Sequence, residues 1–392
     1  MRILRVITRL NIGGPSIQAI SLTTRLAERG HATTLIHGRL DRGEGDMTYL
    51  APPDASLTFV GTLCRPIALG DDLRALFALR RLIGDFKPDI VHTHMAKAGM
   101  LGRLAALAFN IGRPAGSRAR VVHTYHGHVL EGYFGAAKTA TFILLERMLA
   151  RCSDAIVAIS PAIRQELLEH HRIGRAEQYQ VVPLGFDLSA FAAIDDAARA
   201  EARRSLGIDQ HAHVVTTVGR LTAIKQHGLF LETFARVAST DPAAIALVVG
   251  DGELRGEIEA KAAALGISAR VRMLGWRRDL ATINAATDVF LLTSRNEGTP
   301  VALIEAMASG VPGVSTDVGG VKDVIPNQQV GRLAPFGDAG ALSAAITDLL
   351  SDDRRRRESG DAARAHVLER YSVDRLVDDI DLLYQRLNAG RR

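Results

Sequence analysis

The sequence predicts an α/β protein made of two doubly wound parallel sheets, each in a domain of its own. Short apolar runs alternate with segments of helical spacing, and nearly continuous apolar runs are typical of parallel strands covered on both faces. This alternation occurs twice, on either side of an alanine- and charge-rich stretch at residues 187–210 that carries no strand signal. A length of 392 residues suits two or three domains.

The first half of the chain contains seven predicted strands, at residues 3–8, 32–37, 57–60, 89–94, 120–125, 155–160 and 179–183. The second half contains six, at residues 213–218, 245–249, 270–274, 289–293, 313–316 and 331–333. Asp71 and Asp72 open one of the intervening helices. We therefore predict domains at residues 1–186 and 187–371, and a final helix at residues 372–392 that packs back toward the first domain. Two such domains should face each other across a cleft.

Composition excludes several classes of protein. Apolar residues make up 47% and charged residues 23%, as in ordinary globular proteins. The two cysteines exclude a disulfide scaffold or a cysteine-rich zinc module, and they suit a reducing compartment. Arg2, Arg5 and Arg9 interrupt the first apolar stretch, and no run reaches 18 apolar residues, so we expect neither a signal peptide nor a membrane-spanning helix. We expect a cytoplasmic protein, with peripheral contact at the inner face of the cell membrane as an option.

The basic residues are concentrated in the first half. Residues 1–190 hold 23 lysines and arginines against 16 acids, whereas the remainder holds 25 against 27. This excess suits an anionic membrane or an acidic acceptor. Nucleic acid is disfavoured, because aromatic residues are only 5% and none interleave with a basic block. Residues 134–151, with Lys138, Arg147 and Arg151 beside four apolar residues, predict either an interfacial helix or a half-buried helix that covers the sheet.

Two short stretches suit phosphate. Gly13, Gly14 and Pro15 follow the first strand, where glycines allow close backbone approach and the amides of a helix start attract an anion. A plain tight turn is the alternative. Arg220 and Lys225 follow the first strand of the second half. The arginine can bind phosphate through two parallel hydrogen bonds and the lysine through a mobile point charge, or both are simply surface cations.

The most specific stretch follows the strand that ends near Leu292. Thr299 is predicted to cap a helix whose first turn holds Pro300, which leaves free amides from Gly298 onward to bind a diphosphate. Glu305 falls inside that apolar helix, where a carboxylate is costly unless it binds hydroxyls or a cation.

Histidines end two strands of the first half. His126 and His128 share one face of their strand and His123 takes the other, so a metal site is disfavoured against a structural role or a contact with a ligand. His92 and His94 face an acceptor or are structural. The triplet Asp251, Gly252 and Glu253 is better explained as a turn than as a metal site.

Together these motifs resemble glycosyltransferase family 4, the retaining enzymes of the GT-B fold. The resemblance rests on E-G-T-P-V-A-L-I-E-A from Glu297 to Ala306, Gly219-Arg220 with Lys225, Gly13-Gly14, and Asp317-Val318-Gly319-Gly320. The sequence departs from the family at Val321-Lys322-Asp323, where a Pro-Glu type pair is frequent, and at Gln226, where glycine is common.

The resemblance implies roles for individual residues. Glu305 would bind the ribose of the nucleotide, Glu297 the hydroxyls of the donor sugar, and Arg220 and Lys225 the diphosphate. His126 would lie beside the donor sugar. Other donor contacts are implied for Gly13, Gly14, Gly298, Thr299, Pro300 and Val301. The base would lie near Trp276 and Arg277.

The sequence thus predicts a retaining transferase that moves a sugar from a nucleotide-sugar, most simply a UDP-sugar, to a glycan or lipid-linked acceptor. Positive charge at Arg220 and Lys225 would replace a metal, so we expect neither a metal nor another cofactor. No carboxylate stands out as a nucleophile, so same-face attack within an ion pair is favoured. A sugar-nucleotide epimerase and a catalytically silent sugar-nucleotide binder are the alternatives.

Overall fold

A computed structural model describes residues 1–127 and 136–390. The backbone contacts divide the chain into two compact units. Unit 1 comprises Met1–Phe186 and Val373–Arg392, and unit 2 comprises Asp187–Ser372. Each unit contains a parallel sheet with helices on both faces.

Unit 1 has a seven-stranded sheet within the described residues, in the order β3-β2-β1-β4-β5-β6-β7. Its strands are β1 (Arg2–Ile7), β2 (Ala32–His37), β3 (Leu57–Phe59), β4 (Ile90–His94), β5 (Arg120–Tyr125), β6 (Ala155–Ala158) and β7 (Tyr179–Val181). Its helices are α1 (Gly14–Glu28), α2 (Leu69–Phe86), α3 (Ala96–Asn110), α4 (Ala136–Ala150), α5 (Pro161–Gln165) and, from the end of the chain, α15 (Val373–Ala389). Helices α2 and α3 cover one face of the sheet, and α1 and α15 cover the other.

Unit 2 has a six-stranded sheet over its described residues, in the order β10-β9-β8-β11-β12-β13. Its strands are β8 (His213–Val218), β9 (Ala244–Val249), β10 (Val271–Gly275), β11 (Val289–Leu292), β12 (Gly313–Thr316) and β13 (Gly331–Ala334). Its helices are α6 (Ser189–Ala192), α7 (Asp196–Ser205), α8 (His227–Thr240), α9 (Arg255–Ala264), α10 (Leu280–Ala286), α11 (Val301–Ala308), α12 (Val321–Val324), α13 (Ala339–Leu350) and α14 (Asp353–Tyr371).

The predicted α/β class with two doubly wound sheets is confirmed. Within the described chain every predicted strand is present, with ends that differ by at most two residues. Helix α2 begins at Leu69, and Asp71 and Asp72 lie in its first turn, as the sequence predicts. The Asp72 carboxylate accepts a hydrogen bond from the Ala68 amide at 3.1 Å and pairs with Lys97 at 2.5 Å.

Strand order fixes where each sheet presents polar groups. In unit 1 the chain winds outward from β1 in one direction and from β4 in the other, and in unit 2 it does so from β8 and β11. At such a reversal the loops that leave the carboxyl ends of the two central strands diverge and open a crevice, which is where open α/β sheets bind ligands. A ligand site is therefore expected at two places, the carboxyl edge of β1 and β4 in unit 1 and the carboxyl edge of β8 and β11 in unit 2.

A buried polar chain links α15 to the middle of the unit 1 sheet. The Arg5 guanidinium is fully buried in β1 and donates to Thr23 Oγ1 at 3.3 Å and to Tyr384 Oη at 3.4 Å. Tyr384 Oη also lies 2.5 Å from His92 Nδ1, and His92 Nε2 lies 2.7 Å from Thr124 Oγ1. Buried polar groups need such partners, because an unsatisfied group loses its water without replacement. The phenol of Tyr384 thus supplies polar contacts for β1 and β4 at once.

Replacing Tyr384 by phenylalanine is expected to destabilise unit 1 by about 2 kcal/mol, because it leaves His92 Nδ1 and one nitrogen of Arg5 unsatisfied. Urea unfolding followed by far-ultraviolet circular dichroism measures this. Tyr49→Phe, on an exposed ring of the same unit, is the matched control and should change little. A Tyr384→Phe protein as stable as the parent would contradict the described network.

Among the described residues, no helix combines the length and apolarity needed to cross a bilayer.

Candidate functional site

An ion pair occupies the carboxyl edge of β8 and β11 in unit 2. Lys225, in the loop after β8, places Nζ 2.6 Å from Oε1 of Glu297, in the loop after β11. Ser294 Oγ lies 2.5 Å from the same carboxylate oxygen. The Glu297 side chain is 10% exposed and that of Lys225 27%. Two residues 72 positions apart thus meet at the reversal of the sheet, each still open to a ligand.

Hydrogen bonds to the backbone join the two loops. Thr293 Oγ1 donates to the carbonyl oxygens of Lys225 and Gln226, both at 3.1 Å, and the Arg295 amide donates to the Ile224 carbonyl at 2.8 Å. These bonds fix the position of Lys225 relative to Glu297. Such preorganisation is what a site for a charged ligand requires.

A third loop, which follows β12, is hydrogen-bonded to the backbone of the loop that carries Glu297. The Gly320 amide donates to the Glu297 carbonyl at 2.9 Å, and Thr316 Oγ1 donates to the Ser294 carbonyl at 2.7 Å. A Cβ atom on Gly320 would lie 1.8 Å from the Gly298 carbonyl oxygen, and one on Gly319 2.1 Å from that of Glu297. Only glycine allows these backbones to approach so closely.

Gly320→Ala should displace the loop that carries Glu297, because the added methyl group collides with backbone rather than with a flexible side chain. We expect turnover to fall at least about 100-fold and unit 2 to lose about 1–3 kcal/mol of stability. Assays of the sugar transfer that the sequence predicts, and urea unfolding followed by Trp276 fluorescence, measure the two effects. Gly256→Ala, where a Cβ meets open space in α9, is the control. Equal activity in both variants would show that the contact is unimportant.

The loops after β8, β9 and β10 form the other side of this edge. Gly250 donates from its amide to the Gly275 carbonyl at 2.8 Å, and a Cβ on Gly250, whose φ is +130°, would lie 2.0 Å from the Gly219 carbonyl oxygen. Arg220, next to Gly219, is exposed. No hydrogen bond or ion pair engages its guanidinium within residues 1–127 and 136–390, so it is available to an anion.

The predicted base-binding residues are exposed in the loop after β10. Trp276 is 56% exposed. The Arg277 guanidinium makes a bidentate pair with Asp279, at 2.8 and 2.5 Å, which also lowers the pKa of the Asp279 carboxyl. Arg277 therefore already has a carboxylate partner, and its predicted donor contact stays a prediction.

The cap predicted for α11 is wrong. The helix begins at Val301 with Pro300, rather than Thr299, as the N-cap residue, and no side chain caps it. The Pro300 carbonyl accepts the first helical bonds, from the amides of Leu303 and Ile304 at 3.1 Å, while its ψ of 84° lies outside the helical range, and this combination defines the N-cap residue. Thr299 lies one residue too early to cap. The absence of a side-chain cap leaves the first amides of α11 for water or a ligand.

Glu305 is the unusual residue of α11. It lies among the buried residues Ile304, Ala306 and Met307, and burial raises the pKa of its carboxyl to about 7. In the part of the chain that the structure describes, no group donates a hydrogen bond to this carboxylate. Desolvating a carboxylate without a hydrogen-bond partner costs free energy, so this residue is a candidate for ligand binding. Hydrogen bonds from ligand hydroxyls would offset that cost.

The departure at Gln226 has a structural consequence. Gln226 adopts the left-handed conformation, with φ 52° and ψ 47°, at the start of α8. Glycine reaches this conformation without steric cost, whereas other residues are strained there. The loop that carries Lys225 thus keeps its left-handed backbone in spite of the glutamine.

In unit 1 the carboxyl edge of β1 carries the predicted glycines. Gly13 has φ +153° and precedes α1, which has no side-chain cap. A Cβ on Gly14 would lie 2.8 Å from Leu184 Cδ1. The loop is therefore tightly packed around an uncapped helix start, as the sequence predicts, and the donor contact of both glycines stays a prediction.

Two histidines occupy the same edge after β4 and β5. His94 Nδ1 lies 3.0 Å from His126 Nε2. The outer nitrogens, His94 Nε2 and His126 Nδ1, are buried without a partner among the residues described. Burial lowers the pKa of His126 to about 3, and burial and the neighbouring histidines hold the pKa of His94 well below its usual value, so both rings are neutral at pH 7. Neutral rings can donate or accept hydrogen bonds to hydroxyls.

His92 and His123 are structural instead. His92 stacks on His94, with ring centroids 4.3 Å apart, and is fully buried against Tyr384. His123 Nδ1 lies 2.8 Å from Thr93 Oγ1. The alternative in which His92 faces an acceptor is therefore wrong, because both of its ring nitrogens have protein partners. His128 and the first residues of the predicted interfacial segment lie outside the described residues.

No group of three or more histidine, cysteine or acidic side chains is arranged to hold a metal ion in residues 1–127 or 136–390. Asp251 accepts a hydrogen bond from the Gly252 amide at 2.8 Å, which is the geometry of a turn. The expected independence of metal stays an expectation.

Sequence reasoning missed several residues. Among them are three hydroxyl residues at the carboxyl ends of buried strands, Ser294, Thr293 and Thr316. Their position after an apolar strand could have indicated that they contribute to the site. Met95, with φ 66° and ψ 160°, lies in a region that is essentially restricted to glycine. Met95 follows His94 directly, and no pattern in the sequence predicts this backbone conformation.

Two family models match this chain. The model described as Glycosyltransferase Family 4 matches residues 12–190, and the model described as Glycosyl transferases group 1 matches residues 198–366. Each therefore covers most of one unit.

Curated relatives align over most of the chain. A UDP-Gal:alpha-D-GlcNAc-diphosphoundecaprenol alpha-1,3-galactosyltransferase from Escherichia coli is 30% identical over 344 residues, which cover 87% of this chain and 86% of that protein. An N-acetyl-alpha-D-glucosaminyl L-malate synthase from Bacillus anthracis is 25% identical over 378 residues, covering 95% and 94%.

Solved structures share the fold at lower identity. HepE from Anabaena, in complex with UDP, superposes with a TM-score of 0.83 at 22% identity, covering 98% of this chain and 100% of that one. Sucrose-phosphate synthase from Thermosynechococcus elongatus superposes with a TM-score of 0.78 at 22% identity, covering 100% of each chain. Each unit therefore has the α/β fold of these structures.

Proposed function

This chain belongs to glycosyltransferase family 4, with the group 1 glycosyltransferase domain in unit 2, and from that premise we propose that it transfers a hexosyl or N-acetylhexosaminyl residue from a UDP-sugar to a lipid-linked or glycan acceptor. The observation that carries the proposal is the Lys225–Glu297 pair beside the uncapped start of α11, at the strand reversal of unit 2. The galactosyltransferase relative uses a UDP-sugar and a diphosphate-linked lipid acceptor, which supports the same two classes here.

In this proposal unit 2 binds the donor. Arg220 and Lys225 neutralise the diphosphate, and the first amides of α11 donate to it. Glu305 accepts hydrogen bonds from the ribose hydroxyls, which offset the cost of its half-buried carboxylate. Glu297, held by Lys225 and Ser294, accepts hydrogen bonds from the sugar. The HepE complex with UDP is consistent with a uridine nucleotide in such a fold.

The negative charge that develops on the departing diphosphate is what these residues would stabilise during the reaction. The bond between the anomeric carbon and the diphosphate oxygen breaks, and its electron pair leaves with the diphosphate. Arg220, Lys225 and the α11 amides stabilise that developing negative charge, at about 3 kcal/mol for each preorganised donor. The acceptor oxygen bonds to the same face of the anomeric carbon, and its proton passes to the departing phosphate oxygen, so the configuration is retained. Within unit 1, the neutral His94 and His126 can donate or accept hydrogen bonds to hydroxyls without adding charge.

Product analysis with defined substrates tests the proposal. The purified chain is incubated with UDP-galactose, UDP-glucose or an N-acetylhexosamine analogue, and with a short-chain prenyl diphosphate that carries N-acetylglucosamine. Mass spectrometry should detect one added sugar from one donor, and nuclear magnetic resonance should find the anomeric configuration retained. Conversion of the donor alone into its epimer would instead identify an epimerase. Tight UDP-sugar binding without product, over a panel of acceptors, would favour a silent binder.

A further inference from the structure

Helix α2 of unit 1 has apolar residues on its outer face. Leu69, Leu73 and Phe77 recur every four residues and are 80%, 56% and 67% exposed, and Ile67, just before the helix, is 75% exposed. The inner face of the same helix is also apolar and lies in the core through Ala75, Leu79 and Ile83. A helix on the surface of a soluble domain is ordinarily polar on its outer side. A contiguous exposed apolar stripe instead marks an interaction surface.

Basic residues border this stripe. Arg74, Arg80 and Arg81 project from the exposed side of α2. Arg74 and Arg81 make weak contacts with Asp71 and Asp85, at 3.4 and 3.8 Å, while Arg80 has no ion pair in the described portion of the chain. Exposed pairs of this kind open at little cost. An apolar stripe edged by arginine is the pattern of a helix that lies in the interface of an anionic bilayer.

The stripe begins at the edge of the sheet where His94 and His126 lie. Helix α2 starts after the loop that leaves the carboxyl end of β3, and Lys97, in the first turn of α3, bonds both the Pro66 carbonyl and the Asp72 carboxylate. These bonds tie the start of α2 to the segment that follows His94. A headgroup bound at this edge would therefore have its lipid chain beside Ile67 and Leu69.

We propose that the outer face of α2, defined by Ile67, Leu69, Leu73, Phe77 and Arg80, docks the protein onto an anionic lipid bilayer. The proposal rests on the proposed function, because a lipid-linked acceptor resides in such a bilayer. It assigns the membrane contact to α2 rather than to the segment at residues 134–151. In α4 the buried Glu146 carboxylate accepts from Arg103 at 2.7 and 2.9 Å, so the inner side of that helix covers the sheet. Among its described residues the exposed large apolar ones are Leu144 and Met148, at 58% and 49%, fewer and on average less exposed than the four of the α2 stripe.

Flotation with vesicles tests the docking. The full chain is mixed with vesicles of phosphatidylglycerol and phosphatidylethanolamine, or of phosphatidylcholine alone. We expect co-flotation with the first and at least ten-fold less with the second. Leu73→Ser/Phe77→Ser should reduce co-flotation at least ten-fold, and Arg80→Glu should reduce it and weaken its salt dependence. Leu107→Ser/Ile111→Ser is the matched control, since both residues are exposed apolar positions at the far end of α3.

Several outcomes would overturn the docking. These are absence of co-flotation, an equal loss in the control variant, or unchanged binding by Leu73→Ser/Phe77→Ser. Light scattering that finds a dimer in the parent and a monomer in Leu73→Ser/Phe77→Ser, with no vesicle binding, would assign the stripe to a second copy of the chain instead. Circular dichroism verifies that each variant folds.

A water-soluble acceptor separates this proposal from the proposed function. If both are correct, Leu73→Ser/Phe77→Ser transfers sugar normally to a short-chain acceptor in solution and at least ten-fold more slowly to an acceptor embedded in vesicles. If only the docking is wrong, transfer in solution persists and both proteins use the embedded acceptor equally. If only the proposed function is wrong, vesicle binding persists in the parent without transfer to either acceptor.

Discussion

Glu297→Gln is expected to lower kcat by about 10²–10³-fold while UDP binding changes by less than about five-fold. Glutamine is nearly the same size, but it cannot form the ion pair with Lys225 or present a negative oxygen to the sugar. The nucleotide itself is proposed to contact Arg220, Lys225 and Glu305 and to remain bound. Turnover with the best donor measures the first effect, and calorimetry with UDP measures the second.

A second ion pair in unit 2 provides the control. Lys261 of α9 and Glu232 of α8 lie 2.5 Å apart, and both side chains are exposed. Glu232→Gln removes the same charge from an equally short pair and should leave kcat unchanged. If Glu297→Gln also keeps the parental kcat, Glu297 has no part in turnover, and the silent-binder alternative gains support.

Glu305→Gln is expected to stabilise the ligand-free protein at high pH and to weaken nucleotide binding. Burial raises the pKa of this carboxyl from 4.5 to about 7, so the folded chain holds a proton that the unfolded chain loses between those values. The stability that this proton confers is present below pH 4.5 and is lost as the pH rises through 7. Glutamine, which does not ionise, escapes that loss. The gain is about 3 kcal/mol at pH 8.5 and under about 1 kcal/mol at pH 5.

Trp276 makes this prediction measurable, because the only tryptophan of the chain lies in unit 2. Urea unfolding followed by its fluorescence should give a pH-dependent difference for Glu305→Gln and none for Glu257→Gln, an exposed site in α9. UDP affinity should fall about 10- to 100-fold in Glu305→Gln, as expected for a lost hydrogen bond to a charged group. Equal stability of parent and variant at both pH values would mean that the carboxylate is not buried at a cost.

The fold was predictable because the strands carry a local signal. Parallel strands buried on both faces are apolar along their whole length, so runs such as Val289–Leu292 are visible without any knowledge of their neighbours. Helix boundaries were less predictable. The start of α11 depends on ψ at Pro300 and on which carbonyl accepts the first amide, and residue type alone placed the cap one position too early.

The candidate site was predictable in its residue types and not in its contacts. Glu297, Lys225 and Arg220 were identifiable from motifs, but the pairing of Lys225 with Glu297 joins loops from strands that are distant in sequence. The contact between His92 and Tyr384 spans 292 positions, so the structural role of His92 had no local signature. The backbone strain at Met95 depends on the packing of the whole edge, for which residue identity is no guide.

We propose that the edge of unit 2 formed by Arg220, Lys225 and Glu297 binds and activates a nucleotide-sugar. Nucleotide release from a panel of UDP-, GDP- and ADP-sugars, with EDTA present and with the prenyl diphosphate acceptor, tests this in the parent, Lys225→Ala and Lys261→Ala. We expect release from one UDP-sugar in the parent and in Lys261→Ala, and a loss of at least about 100-fold in Lys225→Ala. Equal release by Lys225→Ala and the parent would show that Lys225 does not activate the donor.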